Sequence, residues 1–554
     1  MIEKDVVVVG SGGAGLSAAV VAACEGLDVL VVEKSDYFGG TTALSGGGIW
    51  IPMSAPAIDA GFHDSLDAAR TYVRKVVGPT IDLDQLDRFL ETAPKALDYL
   101  MSKTDVQFAL EPGFPDYQPD IEGAVDDGRL LSPVPYDGKH LGEYFPLIRP
   151  PLSEFNAPGG FMIAIGDMPH LENMTRSLKS LLHMARLIGR FLIDRLRYPR
   201  GTRLTMGNAF VARLVRSALD NGVELWRRAP VMELVEEQSR VTGVVVERDG
   251  KRVEVRARRG VMLASGGFSA NPEMRKRYIP YPEHHVSLVP ESNTGDGINM
   301  GSRIGGTLDE GNVSNAMWTV MSLATDLDGN TTKYPHIFMD RPKPGCIAVN
   351  RDGRRFTNEA NLNMVKDMHA TDSVPAHLIC DRKFIRKYGL GIVKPGGLGL
   401  KKWLKAGYIV SAPTVRELAE QIGCDPVNLE ETVARMNQFA AEGVDHDFGK
   451  GSSTADRGIG DPRNKPNPSL GPIKTAPFYA VKILPGDSTT TLGLKVNPNA
   501  QVLNENGEVI EGLYAAGLDM NSLWRGVQPA NGGNNAPSLT FGYIAAMDMA
   551  SKPG

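Results

Sequence analysis

This 554-residue chain predicts an α/β protein of two domains, the first interrupted in sequence by the second. Three observations predict it. A strand–turn–helix–strand run opens the chain at residues 5–34, "DVVVVGSGGAGLSAAVVAACEGLDVLVVEK". Glycine-rich turns recur at residues 265–267 and 532–533, far along the chain. The length also exceeds what one core fills, since single cores stop growing beyond about 250–300 residues.

Composition bounds the function. Hydrophobic content of 42% and charged content of 23% are those of a soluble globular protein. A net charge of -5 argues against nucleic acid as the main partner, because a phosphate-binding face needs basic excess. Cys24, Cys346, Cys380 and Cys424 are far apart and form no Cys-x-x-Cys pair, which excludes the usual zinc and dithiol motifs and fits a reducing compartment. Only Met-Ile-Glu-Lys precedes the first strand, and no apolar run is long enough to span a bilayer. The expected location is the cytoplasm.

The opening run is a βαβ unit. Gly10, Gly12 and Gly15, with Gly13 and Ala14 between them, write G-x-G-x-x-G. The first glycine turns the strand sharply, the second lets backbone approach a pyrophosphate, and the third lets the helix sit close to the sheet. The N–H groups opening the helix then face the phosphates. A glycine string alone can be a mere turn. Set between two apolar strands, with Glu33 closing the second and Lys34 after it, it reads as a Rossmann-like dinucleotide site with Glu33 on a ribose hydroxyl.

The stretch beyond Glu33 selects FAD over NAD. "KSDYFGGTTALSGGGIWIP" supplies Gly39, Gly40, Thr41, Thr42, Ser45, Gly46, Gly47 and Gly48. FAD binds extended, so it needs a second gripping stretch of small and hydroxyl residues along its ribityl chain and ring. A third stretch, "GLYAAGLDMNSLWRGVQPANGGNNAPSLTFGYIAAMDMA", reads as a strand over 512–516, a loop with Gly517 and Asp519, and a helix opening near Gly532, Gly533 or Asn534 and carrying Ser538 and Leu539. A helix start aimed at the flavin stabilises negative charge on the reduced ring. Between these termini, residues 223–274 read as a β-meander with a turn at Asp249-Gly250 and a buried strand running into Ser265-Gly266-Gly267. Val231 lies where a backbone amide meets the adenine, and Thr294-Gly295-Asp296 opens another helix at the cofactor.

With these pieces in place, the sequence resembles the fumarate reductase/succinate dehydrogenase flavoprotein superfamily, and within it the 3-ketosteroid Δ1-dehydrogenases. The resemblance covers nearly the whole chain and is strongest at 6–48, 261–305, 344–359 and 512–545, including the signature-like "PGCIAVNRDGRRFTNE". It implies an FAD domain over 1–271 and 451–554, with an inserted α+β capping and catalytic domain over 272–450. The polar stretch "GKGSSTADRGIGDPRNKPNPSLGP" reads as an exposed linker at the return crossing. Covalent flavin attachment would need a histidine where this chain has Thr41 and Thr42, so the resemblance implies noncovalent FAD.

Against the fumarate-type pattern, Thr490 and Thr491 stand where the resemblance calls for a histidine, and Ala530 where it calls for an arginine. Glu359 matches that pattern's glutamate, but no arginine follows it within a turn. A dicarboxylate would be left with unpaired charges.

Desaturation beside a ketone needs an α-proton acceptor, a β-hydride acceptor and donors to the developing enolate. The resemblance puts Tyr117 in "FPDYQPD" at a family tyrosine, Tyr334 near the base, and Gly532 at the amide that binds the ketone oxygen. It departs at Gln528, where the family has a tyrosine. The implied partners are a small apolar ketone or enone and a quinone or other electron acceptor. Three alternatives stay open: an enoate reductase, a redox-neutral hydratase or isomerase using reduced FAD, and a flavin-binding protein without turnover. Arg386 reads as a surface cation, while Arg525 and His336 are each open between a structural and a site role. Finally, "SLKSLLHMARLIGRFLIDRLRYPRGTR" is helical by period, with Arg186, Arg190, Arg195 and Arg197. One reading packs its apolar face on the FAD domain; the other rests it on a membrane.

Overall fold

A computed structural model describes residues 2–552 apart from 153–155, 157–159, 175, 281–283 and 362–363, and apart from the side chain of residue 172. The chain divides into two compact units, one formed by Met1–Met274, Val289–Asn315 and Thr490–Gly554, the other by Arg275–Leu288 and Ala316–Thr489. Both are mixed α/β.

The first unit is built on an eight-stranded sheet among the described residues. Strand β1 (Ile2–Val9) lies at its centre, with β2 (Val29–Val32) parallel on one side and Lys251–Leu263 parallel on the other. The parallel array extends to Glu224–Trp226 beyond β2 and to Val509–Ala515 beyond Lys251–Leu263. Strands buried on both faces need apolar residues throughout rather than alternation, and β1 ends in four fully covered valines. Val231–Glu237, Arg240–Arg248 and Lys251–Leu263 form an antiparallel meander turning at Asp249-Gly250, both with positive φ.

Helix α1 (Gly13–Cys24) connects β1 and β2 and is buried over its first ten residues. Its small side chains let the last helix, Asn535–Ser551, come close: a Cβ added at Gly542 would lie 2.6 Å from the Ala14 carbonyl oxygen. Covered on every side, α1 shows no amphipathic stripe.

In the second unit the 13-residue strand Phe478–Thr490 pairs with Ala376–Asp381, which pairs with Cys346–Val349. Period-two alternation gives this sheet two cores. Cys346 and Ala348 join Leu378, Met368 and Phe384, whereas Ile347 and Val349 join Ile379, Leu429 and Phe439. The signature stretch is fixed here by a buried ion network. Arg355 is bidentate both to Glu359 (2.8 and 2.9 Å) and to Asp445 (3.0 and 2.9 Å), and the buried Lys450 reaches Glu359 at 3.4 Å.

The units depart from the expected domain limits. Residues 289–315 belong to the first unit, and the chain returns to it at Thr490 rather than at residue 451. The stretch expected as an exposed linker is packed into the second unit: Asp456, Asp461, Asn467 and Ser469 are buried and hydrogen-bonded there. Its polarity serves internal hydrogen bonds rather than solvent.

Candidate functional site

The first unit gathers its glycine stretches at the carboxyl ends of the parallel strands. Gly10 has φ +105°, and a Cβ there would lie 2.2 Å from the Ala264 carbonyl oxygen; at Gly15 it would lie 2.1 Å from the Gly10 oxygen. Around Gly12, by contrast, no atom lies within 4 Å of a Cβ position. Two of the glycines are thus demanded by close packing, while the third leaves open space at the start of α1. The N-cap Gly12 has no side chain to cap that helix start, and only its first N–H, that of Gly13, is taken by a side chain, Thr42. Open space before uncapped N–H groups suits a pyrophosphate. The helix Asn535–Ser551 likewise opens at Asn534 without a side-chain cap.

Glu33 is buried where β2 ends. It accepts from the Ser11 hydroxyl (2.6 Å) and amide (3.1 Å) and from the Ser35 amide (2.8 Å). The Ala229 amide donates to the Glu33 carbonyl (3.0 Å), which sets Val231 two residues beyond this contact. Lys34 bridges Asp296 and Thr294 at 2.5 Å each, holding the start of the helix Asp296–Arg303.

The second stretch folds over the first turn. Gly39 donates to the Ser11 carbonyl, Thr42 accepts from the Gly13 amide (3.0 Å), and Thr41 accepts from the Asn293 amide group (3.1 Å). Gly40 lies against Gly12, and a Cβ at Gly47 would strike Gly207. Gly46 faces open space. Ser45 and the Gly48 carbonyl both accept from Asn535, tying this stretch to the last helix.

The third stretch closes the group. Asp519 is fully buried and accepts from the Ser265 amide (2.5 Å) and hydroxyl (3.2 Å). Burial pushes its carboxyl up to about 7 despite those bonds. Gly266 packs on Asn293, and Gly517 leaves room for Ala14, where a Cβ would come within 3.0 Å. The Gly533 carbonyl accepts from the Trp524 indole, Ser538 bonds the Asn534 carbonyl, and Leu539 is buried. Thr490, Thr491, Gly517, Leu518, Trp524 and Ser538 line a small hollow of about 30 Å³.

Beside this group the loop 526–533 carries candidate chemistry. The Pro529 carbonyl is pinned by the Tyr117 amide (3.0 Å) and the Tyr72 hydroxyl (2.6 Å). The Tyr117 hydroxyl donates to Asn531 Oδ1 (2.6 Å). Its position is set from Asp116 next to it, which holds buried Arg129 (2.6 Å) and the Trp50 indole (2.8 Å). Burial, with Tyr72 nearby, lifts the Tyr117 phenol above its ordinary value of 10.0. Gly532 has φ +77°, and a Cβ there would lie 2.8 Å from the backbone of Gly48 and Ile49. Its amide has no acceptor among the described residues, and Gln528 is half-buried in the same loop.

The remaining candidates have partners of their own. Tyr334 belongs to the second unit, on a strand paired with Ala316–Thr325, buried and edge-on to His336. His336 is committed on both ring nitrogens, to Asp340 (2.6 Å) and Ser322 (2.8 Å). Arg525 pairs with Asp309, and Arg386 is exposed. Ser11, Asn293, Asn531 and Asn535 escaped sequence reasoning. Ser11 alone had a signal, as the variable residue inside the glycine fingerprint.

Residues 5–534 match the family of FAD binding domains. The chain belongs to that family. This flavoprotein is an oxidoreductase acting on CH–CH groups, with FAD as its cofactor. It is 37% identical to a 4-oxocyclohex-2-ene-1-carboxylate 5-dehydrogenase of Sinomonas cyclohexanicum, over 99% of this chain and 94% of that one. It is 35% identical to a 3-oxosteroid 1-dehydrogenase of Mycolicibacterium smegmatis, over 99% and 97%. Its fold matches the crystal structure of a 3-ketosteroid Δ1-dehydrogenase from Sterolibacterium denitrificans in complex with 1,4-androstadiene-3,17-dione. That match has a TM-score of 0.92 and 35% identity, with both chains fully covered. The flavoprotein is therefore 3-ketosteroid dehydrogenase-like over its full length, with the Rossmann-like domain and inserted capping domain of that group. No helix among the described residues is long and apolar enough to cross a membrane.

Proposed function

We propose that this flavoprotein desaturates an apolar cyclic ketone, steroid-like or smaller, beside its carbonyl. The observation that carries the reading is the Gly532 amide, without an acceptor among the described residues, beside the Tyr117–Asn531 hydrogen bond. The glycine stretches would hold FAD noncovalently, and it would supply the hydride acceptor, with a quinone or similar molecule as the final electron acceptor. The Gly532 N–H donates to the ketone oxygen as negative charge develops there, and the Gln528 amide adds a second, weaker donor. In its deprotonated form Tyr117 takes the α-proton, and the phenol so formed donates to Asn531 Oδ1. The C–H pair leaves as proton and hydride, and a C=C bond forms. Tyr334, buried on its own strand, is the second candidate for the base.

The two named relatives differ in substrate, one a monocyclic oxo-carboxylate and the other a steroid. Gln528 is no acid, and this favours a substrate whose enolate needs less stabilisation than a phenol provides. The test is anaerobic mixing of oxidised enzyme with 3-ketosteroids, plain cyclohexanones and oxocyclohexane carboxylates, following loss of flavin absorbance. Ketones should bleach the flavin, and Tyr117→Phe should slow the bleaching. Bleaching by none of them, with reoxidation of reduced enzyme by enoates, would replace the reading with an enoate reductase.

A further inference from the structure

Among the described residues, donors from elsewhere in the first unit hold the loop 529–533 at three carbonyls. The Tyr72 hydroxyl (2.6 Å) and the Tyr117 amide (3.0 Å) donate to Pro529, the Trp50 amide donates to Gly532 (3.3 Å), and the Trp524 indole donates to Gly533. These holders meet at one buried cation. The Arg129 guanidinium is 1% exposed and lies over the rings of Trp50 (5.4 Å to the centroid) and Tyr72 (6.0 Å). It donates to Asp116 (2.6 Å), the neighbour of Tyr117, and Asp116 in turn accepts from the Trp50 indole (2.8 Å). Trp50 stands edge-on to Trp524, with ring centroids 5.9 Å apart. On its other side Arg129 is bidentate to Asp64 (2.8 and 2.7 Å).

We propose that Arg129 is a positioning residue that, through Asp116 and Trp50, fixes the loop so that the Gly532 N–H and the Tyr117 phenol meet the substrate together. The inference rests on the desaturation reading and adds to it the group that sets the loop in place. A planar guanidinium binds both carboxylates and still offers its face to two rings, which a lysine cannot do. An apolar side chain would pack among the same rings without the cost of burying charge, so the cation serves position rather than stability. Burial pushes the Asp116 carboxyl above its ordinary 3.8, with Arg129 opposing that rise. Without the guanidinium, Asp116 takes up a proton and becomes a weaker acceptor for Trp50.

The test compares flavin-loaded Arg129→Lys, Asp116→Asn and Asp64→Asn with the unaltered enzyme. Deuterium exchange of the peptide 526–535 should quicken in Arg129→Lys and Asp116→Asn. It should stay unchanged in Asp64→Asn, because Asp64 reaches the loop only through Arg129. In anaerobic mixing with a ketone, the saturating rate of flavin bleaching should fall about 10- to 100-fold in the first two variants. The half-saturating ketone concentration should stay within about 2-fold, because the Gly532 donor matters most as charge develops. Asp64→Asn should melt lower yet bleach at close to the unaltered rate, which separates positioning from stability. Should Arg129→Lys shed its flavin, the two asparagine variants decide. Unchanged exchange in Asp116→Asn, or equal slowing in Asp64→Asn and Asp116→Asn, overturns the proposal. If no ketone bleaches the unaltered enzyme, the desaturation reading falls, and exchange at 526–535 still judges the positioning. Faster exchange in Asp116→Asn than in Asp64→Asn then upholds it, and equal exchange overturns it.

Discussion

At the scale of single residues, the proposed cofactor contacts rest on groups that cannot be exchanged cheaply. Glu33→Ala removes a carboxylate that three Ser11 and Ser35 donors hold in place, the group proposed to accept from a ribose hydroxyl. Losing a charge-assisted bond costs about 1.5–3 kcal/mol, so FAD affinity should fall about 10- to 100-fold in a fluorescence titration, with turnover per bound flavin less affected. Gly532→Ala should impair both fold and chemistry, because its Cβ meets backbone at 2.8 Å in a left-handed conformation. A lower melting temperature together with slow ketone-dependent bleaching checks this. If Tyr117 is the base, its raised phenol sets a sign: only the deprotonated form accepts, so the bleaching rate should climb with pH past 10.0, and Tyr117→Phe should flatten that rise. Asp519 sets another. Its carboxyl stands at about 7 in the fold against an ordinary 3.8, so its contribution is fully present below pH 3.8 and is lost as pH rises through 7. Melting of flavin-free Asp519→Asn across that window should be flatter than that of the unaltered chain. Gly10 and Gly15 were legible in the sequence because packing leaves them no alternative. Asn531 was not, because an asparagine beside Gly-Gly looks like turn chemistry until Tyr117 is found bonded to it.

Among elements, periodicity announced the βαβ unit and the meander, but it could not say which way a helix faces. Leu178–Arg195 has the same pattern whether its leucines meet a core or solvent; only the burial of Ser180, Met184 and Asp194 decides. The stretch 449–472 failed for a related reason, since buried polar residues that satisfy one another look like a solvated loop. The signature stretch is held by Arg355, Glu359, Asp445 and Lys450. Breaking such a buried pair from one side costs about 3–5 kcal/mol, so Glu359→Gln should sharply lower the melting temperature of the second unit. Glu359 and Asp445 are both held below their ordinary values of 4.5 and 3.8 by Arg355 against their own burial. Their stabilisation is therefore present above pH 4.5 and lost as pH falls through the lowered values, and calorimetry below pH 4.5 should show it disappearing in the unaltered chain.

For the molecule as a whole, the discontinuous flavin domain was legible because its glycine turns sit at both ends of the chain, while the return crossing was placed too early. Thr490 marks it, inside a continuous strand that offers no break in composition. The proposed desaturation rests on net electron flow out of a C–H pair. The direct measurement is an anaerobic count with a dye as acceptor: moles of unsaturated ketone formed against moles of dye reduced. Desaturation predicts one for one, starting from oxidised enzyme. Product formed without dye reduction, or only after the flavin has been reduced beforehand, would contradict it and point to a redox-neutral reaction at the same site.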